Sequence, residues 1–168
     1  AGFANMTALS SMLVSKPFDA TRDGFIMGEG AAVFVLERLD MAIARGAHIV
    51  AEIVGAASNA DAHHITAPSP GGVGATRCMQ LALEDAGLQA SDIKQINAHG
   101  TSTPLNDSAE AQAIEAVFGD RSVPVVSIKG VTGHPLGAAG ALEAAAVLLS
   151  IEKSLIPPTA GTTVIDPA

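Results

Sequence analysis

Two loops of this chain carry histidine and lysine side chains at points where an apolar run gives way to glycine. His99 begins the first loop, after the run that ends at Ala98, and Lys129 and His134 lie in the second. A helix N-terminus favours the neutral, hydrogen-bond-donating form of imidazole, and His134 precedes a long apolar helix. A single histidine in such a place is more often a satisfied core residue. Two histidines and a lysine in two such loops predict a polar pocket with a chemical role.

Two carboxylates stand in the chain between these loops. Asp107 and Glu110 fall in the early part of a predicted helix, from which they can reach back and pair with Lys129. We therefore predict that both carboxylates support the same pocket.

Apolar strands alternate with helices along the chain, and glycine or proline separates them. The predicted strands are 31–36, 49–56, 93–98 and 123–128, and the predicted helices are 40–45, 74–86, 107–118 and 138–152. Strands that are apolar throughout are typical of a parallel sheet covered on both faces, so an α/β fold is predicted. In such sheets chemistry gathers in the loops that follow the strands. The helix 138–152 is almost wholly apolar, which predicts burial on most of its sides.

Composition disfavours several classes of function. Nine basic and 17 acidic residues give a net charge of −8, so nucleic acid is not an expected partner. The most apolar stretch, 136–151, is interrupted by Glu143 and would span about 24 Å as a helix, less than the ~30 Å of a bilayer core. The N-terminus has no signal-peptide pattern. These features predict a cytoplasmic protein that does not enter a membrane.

Other candidate sites are weaker. Cys78, the single cysteine, excludes an internal disulfide and is predicted to be an inert thiol within a helix. Asp61, His63 and His64 could bind a metal, but adjacent histidines point in different directions, so no metal site is predicted. No Gly-x-Gly-x-x-Gly or Gly-x-Ser-x-Gly motif is present, which disfavours nucleotide binding and serine hydrolysis.

Several motifs, in order along the whole chain, resemble those of the β-ketoacyl-acyl carrier protein synthases. The likeness is to the elongating type II enzymes and polyketide ketosynthases, and its motifs lie at 16–31, 61–66, 97–104, 129–140 and 156–159. The resemblance implies a thiolase-like fold, two related halves in layered α-β-α-β-α order. Residues 1–46 would end the first half, and residues 47–168 would form most of the second.

The resemblance also implies a reaction, the decarboxylative condensation of an acyl thioester with a malonyl thioester. The family's two site histidines match His99 and His134, which would stabilise the enolate oxygen formed when CO2 leaves. Lys129 matches the lysine that positions these histidines, and Glu110 matches the carboxylate with which that lysine pairs. Asp107 would support them from further out.

Substrate and partner residues follow from the same resemblance. Thr101 and Thr103 match residues that hydrogen-bond the phosphopantetheine arm, and Phe3 and His64 fall at positions that line the acyl pocket. The implied partner is an acyl carrier protein, and no bound cofactor is expected because the substrates arrive on phosphopantetheine. The parent protein would be a homodimer, or a heterodimer with a chain-length subunit.

The sequence also departs from the family pattern. The nucleophilic cysteine expected upstream and the Gly-Phe-Gly-Gly stretch expected downstream are absent, and Cys78 does not take the nucleophile's place. Gly130 stands where serine or alanine is commoner. The isolated chain is therefore expected to be inactive and to expose apolar surface.

An alternative is a non-catalytic subunit, like a chain-length factor, which binds a catalytic partner. Intact His99, Lys129 and His134 favour the enzyme, because a non-catalytic partner need not keep them. A thiolase and an initiating synthase are disfavoured, since the first does not need Lys129 and the second has asparagine in place of the second histidine.

Overall fold

The loops that carry the candidate residues follow two parallel strands. The computed structural model describes residues 2–64, 67–119 and 123–167. Strands β1 (Ile96–Asn97) and β2 (Val125–Val126) pair in parallel, with Ile96 opposite Val125. The backbone N–H of Ala98 donates to Val126 O at 2.7 Å and extends the pairing. The parallel arrangement is confirmed, and both loops leave the sheet at the same edge.

The helices of the described residues are α1 (Gly2–Asn5), α2 (Leu39–Ala44), α3 (Val73–Ala86), α4 (Pro104–Phe118), α5 (Lys129–Thr132) and α6 (Ala139–Lys153), with 3-10 turns at Pro70–Gly72, Ala90–Asp92 and Leu136–Ala138. The four predicted helices correspond to α2, α3, α4 and α6 and agree to within a few residues, whereas α1 and α5 are not among the predicted helices. Helix α4 begins three residues before the predicted bound, because the fixed φ of Pro104 suits the first helical position. Helix α3 ends where predicted, at a left-handed Gly87 with φ of 66°.

Helices α3 and α4 pack closely through small side chains. Ala109 and Ala113 of α4 are buried, and a Cβ at Gly72, just before α3, would overlap the backbone oxygen of Ala109. This close approach fixes the start of α3 against α4. Helix α4 in turn carries Asp107 and Glu110, the two carboxylates predicted to support the pocket.

Two predicted strands are wrong for the chain as described. Residues 31–36 and 49–56 form no paired strand, and Val33 and Ile53 are 93% and 75% exposed. A strand needs a neighbouring edge to satisfy its backbone groups, and the described residues supply none there. The predicted burial of α6 is also wrong, since Leu149 and Ile151 are more than half exposed. The apolar pattern predicted side chains that are buried, but the described residues of this chain do not pack against them.

A buried charge network joins distant parts of the chain. Asp19 is fully buried, and its carboxylate accepts hydrogen bonds from Thr21, Thr163 and Val164, which hold its pKa far below the usual range. The Arg22 guanidinium donates to Asp166 at 2.5 Å. The loop around residue 20 is therefore fixed to the segment 163–166.

No helix in the described ranges combines the length and the apolar character that crossing a bilayer would require.

Gly28 is expected to tolerate no side chain. A Cβ there would overlap the backbone oxygen of Thr132, in the loop that carries His134. We expect Gly28→Ala to lower the free energy of unfolding by about 1–3 kcal/mol, as overpacking does, in a urea titration. The control is Gly137→Ala, where the added methyl group meets open space. Equal stability of the two variants would contradict the close approach.

Candidate active site

His99 lies at the end of β1, where Glu110 of α4 fixes the backbone. The N–H groups of His99 and Gly100 donate to the two carboxylate oxygens of Glu110 at 2.6 and 2.7 Å. Burial raises the pKa of Glu110, and these two hydrogen bonds act in the opposite direction. The carboxylate thus holds the first loop at its start.

Lys129 is buried at the start of α5, with its side chain 1% exposed. Its ammonium group donates to the backbone oxygen of His99 at 2.5 Å and forms an ion pair with Glu143 of α6. Nζ also lies 3.4 Å from Nδ1 of His99. Lys129 therefore links α6 to the first loop.

The predicted pairing of Lys129 with Glu110 or Asp107 is wrong. Glu110 is engaged by backbone N–H groups, and Asp107 accepts from the N–H groups of Phe18 and Ser102. Glu143 pairs with the lysine instead. Both predicted carboxylates still support the pocket, but they do so by fixing the backbone of the loop.

His134 is held by backbone pairing and by two aromatic contacts. Its backbone N–H donates to Ile26 O at 2.7 Å, and its backbone oxygen accepts from the N–H of Gly28. The ring meets Phe25 edge to face at a centroid distance of 5.1 Å, and it meets His99 at 5.2 Å. The two histidines expected to act together are therefore adjacent.

The environment keeps both imidazoles neutral at pH 7. Desolvation, the charge of Lys129 and the neighbouring His134 lower the pKa of His99 to about 4. Desolvation and Lys129 also lower the pKa of His134, against the opposing effect of Glu143. The sequence predicted a neutral His134 from its place before a helix, whereas the structure attributes the lowered pKa mainly to burial and to Lys129.

The lysine also selects the tautomer of His99. An ammonium group can only donate, so its contact with Nδ1 of His99 requires a lone pair on that nitrogen. The ring proton of neutral His99 then lies on Nε2, which makes Nε2 the hydrogen-bond donor. The pocket thus offers a fixed, uncharged donor beside a second imidazole.

The low pKa of His99 should make stability depend on pH. Because the folded pKa is about 4 and the unfolded value is near 6.5, the unfolded state binds more protons between these values. The contribution of His99 is complete above about pH 6.5 and is lost as the pH falls toward 4. We expect a ring titration near pH 4 by NMR. A His99→Gln variant should lose part of the difference in stability between pH 7 and pH 5, and a ring titration near 6.5 would contradict this environment.

Of the four predicted substrate residues, three belong to the loop or the aromatic contacts around the histidine pair, and one lies in an exposed loop. The hydroxyl groups of Thr101 and Thr103 lie 2.9 Å apart in the first loop. Phe3 contacts Phe25 edge to face, and Phe25 in turn contacts the ring of His134. His64 instead lies in an exposed loop, where Nδ1 accepts from the N–H of Ala67. Two residues of the motif at 61–66, Ile65 and Thr66, lie outside the described residues.

The described ranges contain no group of three histidine, cysteine or acidic side chains arranged to hold a metal ion. Cys78 lies on α3 with its thiol directed at Ala57 O, at 3.6 Å.

Comparison with known protein families places this chain. The model of the beta-ketoacyl synthase C-terminal domain matches residues 50–163, and that of the N-terminal domain matches residues 1–42. The chain belongs to the beta-ketoacyl synthase family. The predicted resemblance is thereby confirmed, and it rests on both domains of the family.

Curated relatives of this beta-ketoacyl synthase chain are longer than it is. It is 48% identical to a 3-oxoacyl-[acyl-carrier-protein] synthase 2 of Synechocystis and 49% identical to one of Staphylococcus aureus. Each match covers 99% of this chain but 42% and 43% of the relative. The chain therefore spans about two fifths of the length of these relatives.

Solved structures confirm the thiolase-like ketosynthase fold. A beta-ketoacyl synthase from Burkholderia phymatum has a TM-score of 0.95 at 47% identity, over 99% of this chain and 41% of its own. The ishigamide ketosynthase/chain length factor has a TM-score of 0.93 at 45% identity, over 98% and 40%. A type II polyketide synthase acyl-carrier protein complex with its ketosynthase, bound to a hexaketide, has a TM-score of 0.94 at 40% identity, over 99% and 43%.

Sequence reasoning missed two residues that hold the pocket of this beta-ketoacyl synthase chain. Glu143 was noted only as the interruption of an apolar stretch, although a lone carboxylate in such a helix is itself a signal of a buried partner. Phe25, buried between Phe3 and His134, lies within the motif at 16–31 but was given no role, because its role depends on contacts between distant segments.

Proposed function

We propose that the protein carrying this chain is a decarboxylating condensing enzyme of fatty acid or polyketide synthesis. It would join an acyl thioester to malonyl-acyl carrier protein. The observation that carries the proposal is the pair of neutral imidazoles, His99 and His134, with ring centroids 5.2 Å apart beside buried Lys129. The names of the curated relatives, 3-oxoacyl-[acyl-carrier-protein] synthases, support the same reaction.

The proposed step places charge where the two histidines can stabilise it. The malonyl thioester loses CO2, and the electron pair of the broken C–C bond forms an enolate with its negative charge on the thioester oxygen. Two imidazole N–H groups donate to that oxygen. The enolate carbon then attacks the acyl thioester of the nucleophilic cysteine, and the cysteine thiolate leaves. In the decarboxylation, the carbonyl of the malonyl thioester takes up the electron pair of the broken C–C bond, so that step requires no cofactor.

The remaining partners are proposed on the same basis. Thr101 and Thr103 would hydrogen-bond the phosphopantetheine arm, and Phe3 and His64 would line the acyl pocket. The acyl carrier protein would deliver the substrates, which the ketosynthase complex with a carrier protein supports. The parent would form a homodimer, or a heterodimer with a chain-length subunit.

This chain on its own is proposed to be inactive. Its single thiol, Cys78, is directed at Ala57 O, and its hydrogen-bond partner is neither His99 nor His134. The nucleophile would therefore belong to a part of the parent protein that this sequence does not contain.

The test is a paired assay of the intact protein from its source. Release of labelled CO2 from malonyl-acyl carrier protein measures decarboxylation, and formation of the 3-oxoacyl product measures condensation. The proposed enzyme should perform both. A protein that binds a ketosynthase subunit but performs neither reaction would instead be a non-catalytic, chain-length-factor-like subunit. Release of CO2 without condensation would show that the histidine pair acts but that the acyl acceptor site does not.

A further inference from the structure

Ser102, between the two threonine residues, has an unusual backbone conformation. Its φ is +69°, in the left-handed region that residues other than glycine rarely adopt, and the residue is fully buried. Such a conformation persists only where the surroundings enforce it, and it is found preferentially at functional sites.

Three separate segments enforce this conformation. The Asp107 carboxylate accepts from the Ser102 N–H at 3.1 and 3.2 Å. The backbone N–H of Lys16 donates to Ser102 Oγ at 2.8 Å, and the N–H of Gly24 donates to Ser102 O at 2.9 Å. Every polar atom of Ser102 therefore has a partner outside its own loop.

The turn at Ser102 determines where its neighbours point. Thr101 Oγ1 and Thr103 Oγ1 lie 2.9 Å apart, so both hydroxyl groups face one point. The Arg22 guanidinium holds the far side, with Nε 3.4 Å from Thr103 O. A shift at Ser102 would separate the two hydroxyl groups, whereas the Lys129 ammonium group and the His134 backbone have other residues as their partners.

We propose that Ser102 is a positioning residue that sets the spacing of the Thr101 and Thr103 hydroxyl groups for the phosphopantetheine arm. The inference rests on the proposed function for the identity of the arm. Beyond the proposed function, recognition of the phosphopantetheine arm would depend on Ser102, a buried residue that does not contact the arm.

The first variant is Ser102→Gly, made in the intact protein. Glycine accepts the positive φ but gives up the bond to Lys16 N–H and gains backbone freedom. We expect the Kd for free 4′-phosphopantetheine, measured by calorimetry, to rise by about three- to tenfold, as the loss of one hydrogen bond predicts. The KM for carrier-borne substrate should rise by a similar factor, while kcat and the KM for a short alkyl thioester without the arm stay unchanged.

Ser108→Gly is the matched control. Ser108 lies in the same helix as Asp107, and glycine there weakens the helix without contact with the hydroxyl pair. It should lower Tm and leave the Kd for phosphopantetheine unchanged. If Ser102→Gly fails to fold, Ser102→Ala removes the same hydroxyl group while keeping the backbone restricted, and a smaller rise in Kd is expected.

Three results would overturn the inference. The first is an unchanged Kd in both Ser102 variants, and the second is an equal loss for the arm-bearing and armless substrates, which a purely structural serine would give. The third is an intact protein that does not bind phosphopantetheine. A protein that binds the arm as expected but performs no condensation contradicts the proposed function and leaves this inference supported.

Discussion

Alanine in place of His134 is expected to slow malonyl-thioester decarboxylation by the intact protein by about 10²–10³-fold, the usual cost of one oxyanion donor. The ring of His134 meets His99 at 5.2 Å and has a lowered pKa, so it is one of two uncharged donors in the pocket. The measurement is the rate of CO2 release under single-turnover conditions. Loss of the donor removes stabilisation of the enolate oxygen, while transfer of the acyl group to the cysteine should be far less affected.

The control for this variant is His63→Ala. His63 is an exposed histidine outside the histidine pair, so its replacement should leave the rate of CO2 release within about twofold, as is usual for surface changes. If His134→Ala slowed acyl transfer and decarboxylation equally, its effect would be on folding or on access to the pocket, and the role of an enolate donor would be rejected.

Glutamine in place of Glu143 is expected to lower the free energy of unfolding by about 3–5 kcal/mol, the usual cost of leaving one buried charge without its partner. The side chain of Lys129 is 1% exposed and that of Glu143 is 18% exposed, so little water can reach the lysine in place of the lost carboxylate. Urea unfolding followed by circular dichroism measures the change. The double variant Lys129→Met with Glu143→Leu should recover most of this loss, because it leaves no buried charge.

A surface pair provides the matched control. Glu84 pairs with Arg77 on α3, and both side chains are more than half exposed. Glu84→Gln should cost less than about 1 kcal/mol, the usual value of an exposed ion pair. Equal costs at Glu84 and Glu143 would mean that water reaches Lys129, and the buried link between α6 and the first loop would be rejected.

Local patterns in the sequence predicted the elements that local forces determine. Helix α3 begins and ends within one residue of its predicted bounds because its apolar spacing and Gly87 act within a few residues. The meeting of the two loops was also predictable, since loops that follow parallel strands leave the sheet at one edge.

Contacts between distant segments were not predictable in the same way. The sequence offered Asp107 and Glu110 as partners of Lys129, and only the folded chain shows that backbone N–H groups already occupy Glu110 and that Glu143 pairs with the lysine. The predicted strands at 31–36 and 49–56 failed for a related reason. Their apolar side chains indicate burial, but a strand requires a neighbouring edge that periodicity alone does not locate.

The buried carboxylate of Asp19 has a consequence for the speed of folding. Its partner Thr163 and the Arg22 partner Asp166 each lie 144 residues further along the chain. Contacts of such long range close large loops and are typical of slowly folding proteins. The loop that carries Asp19 and Arg22 also contacts Ser102 and Asp107. The pocket therefore depends on a loop that is itself held by residues 163–166. During synthesis on the ribosome, the pocket would therefore form only after residues 163–166 have been made.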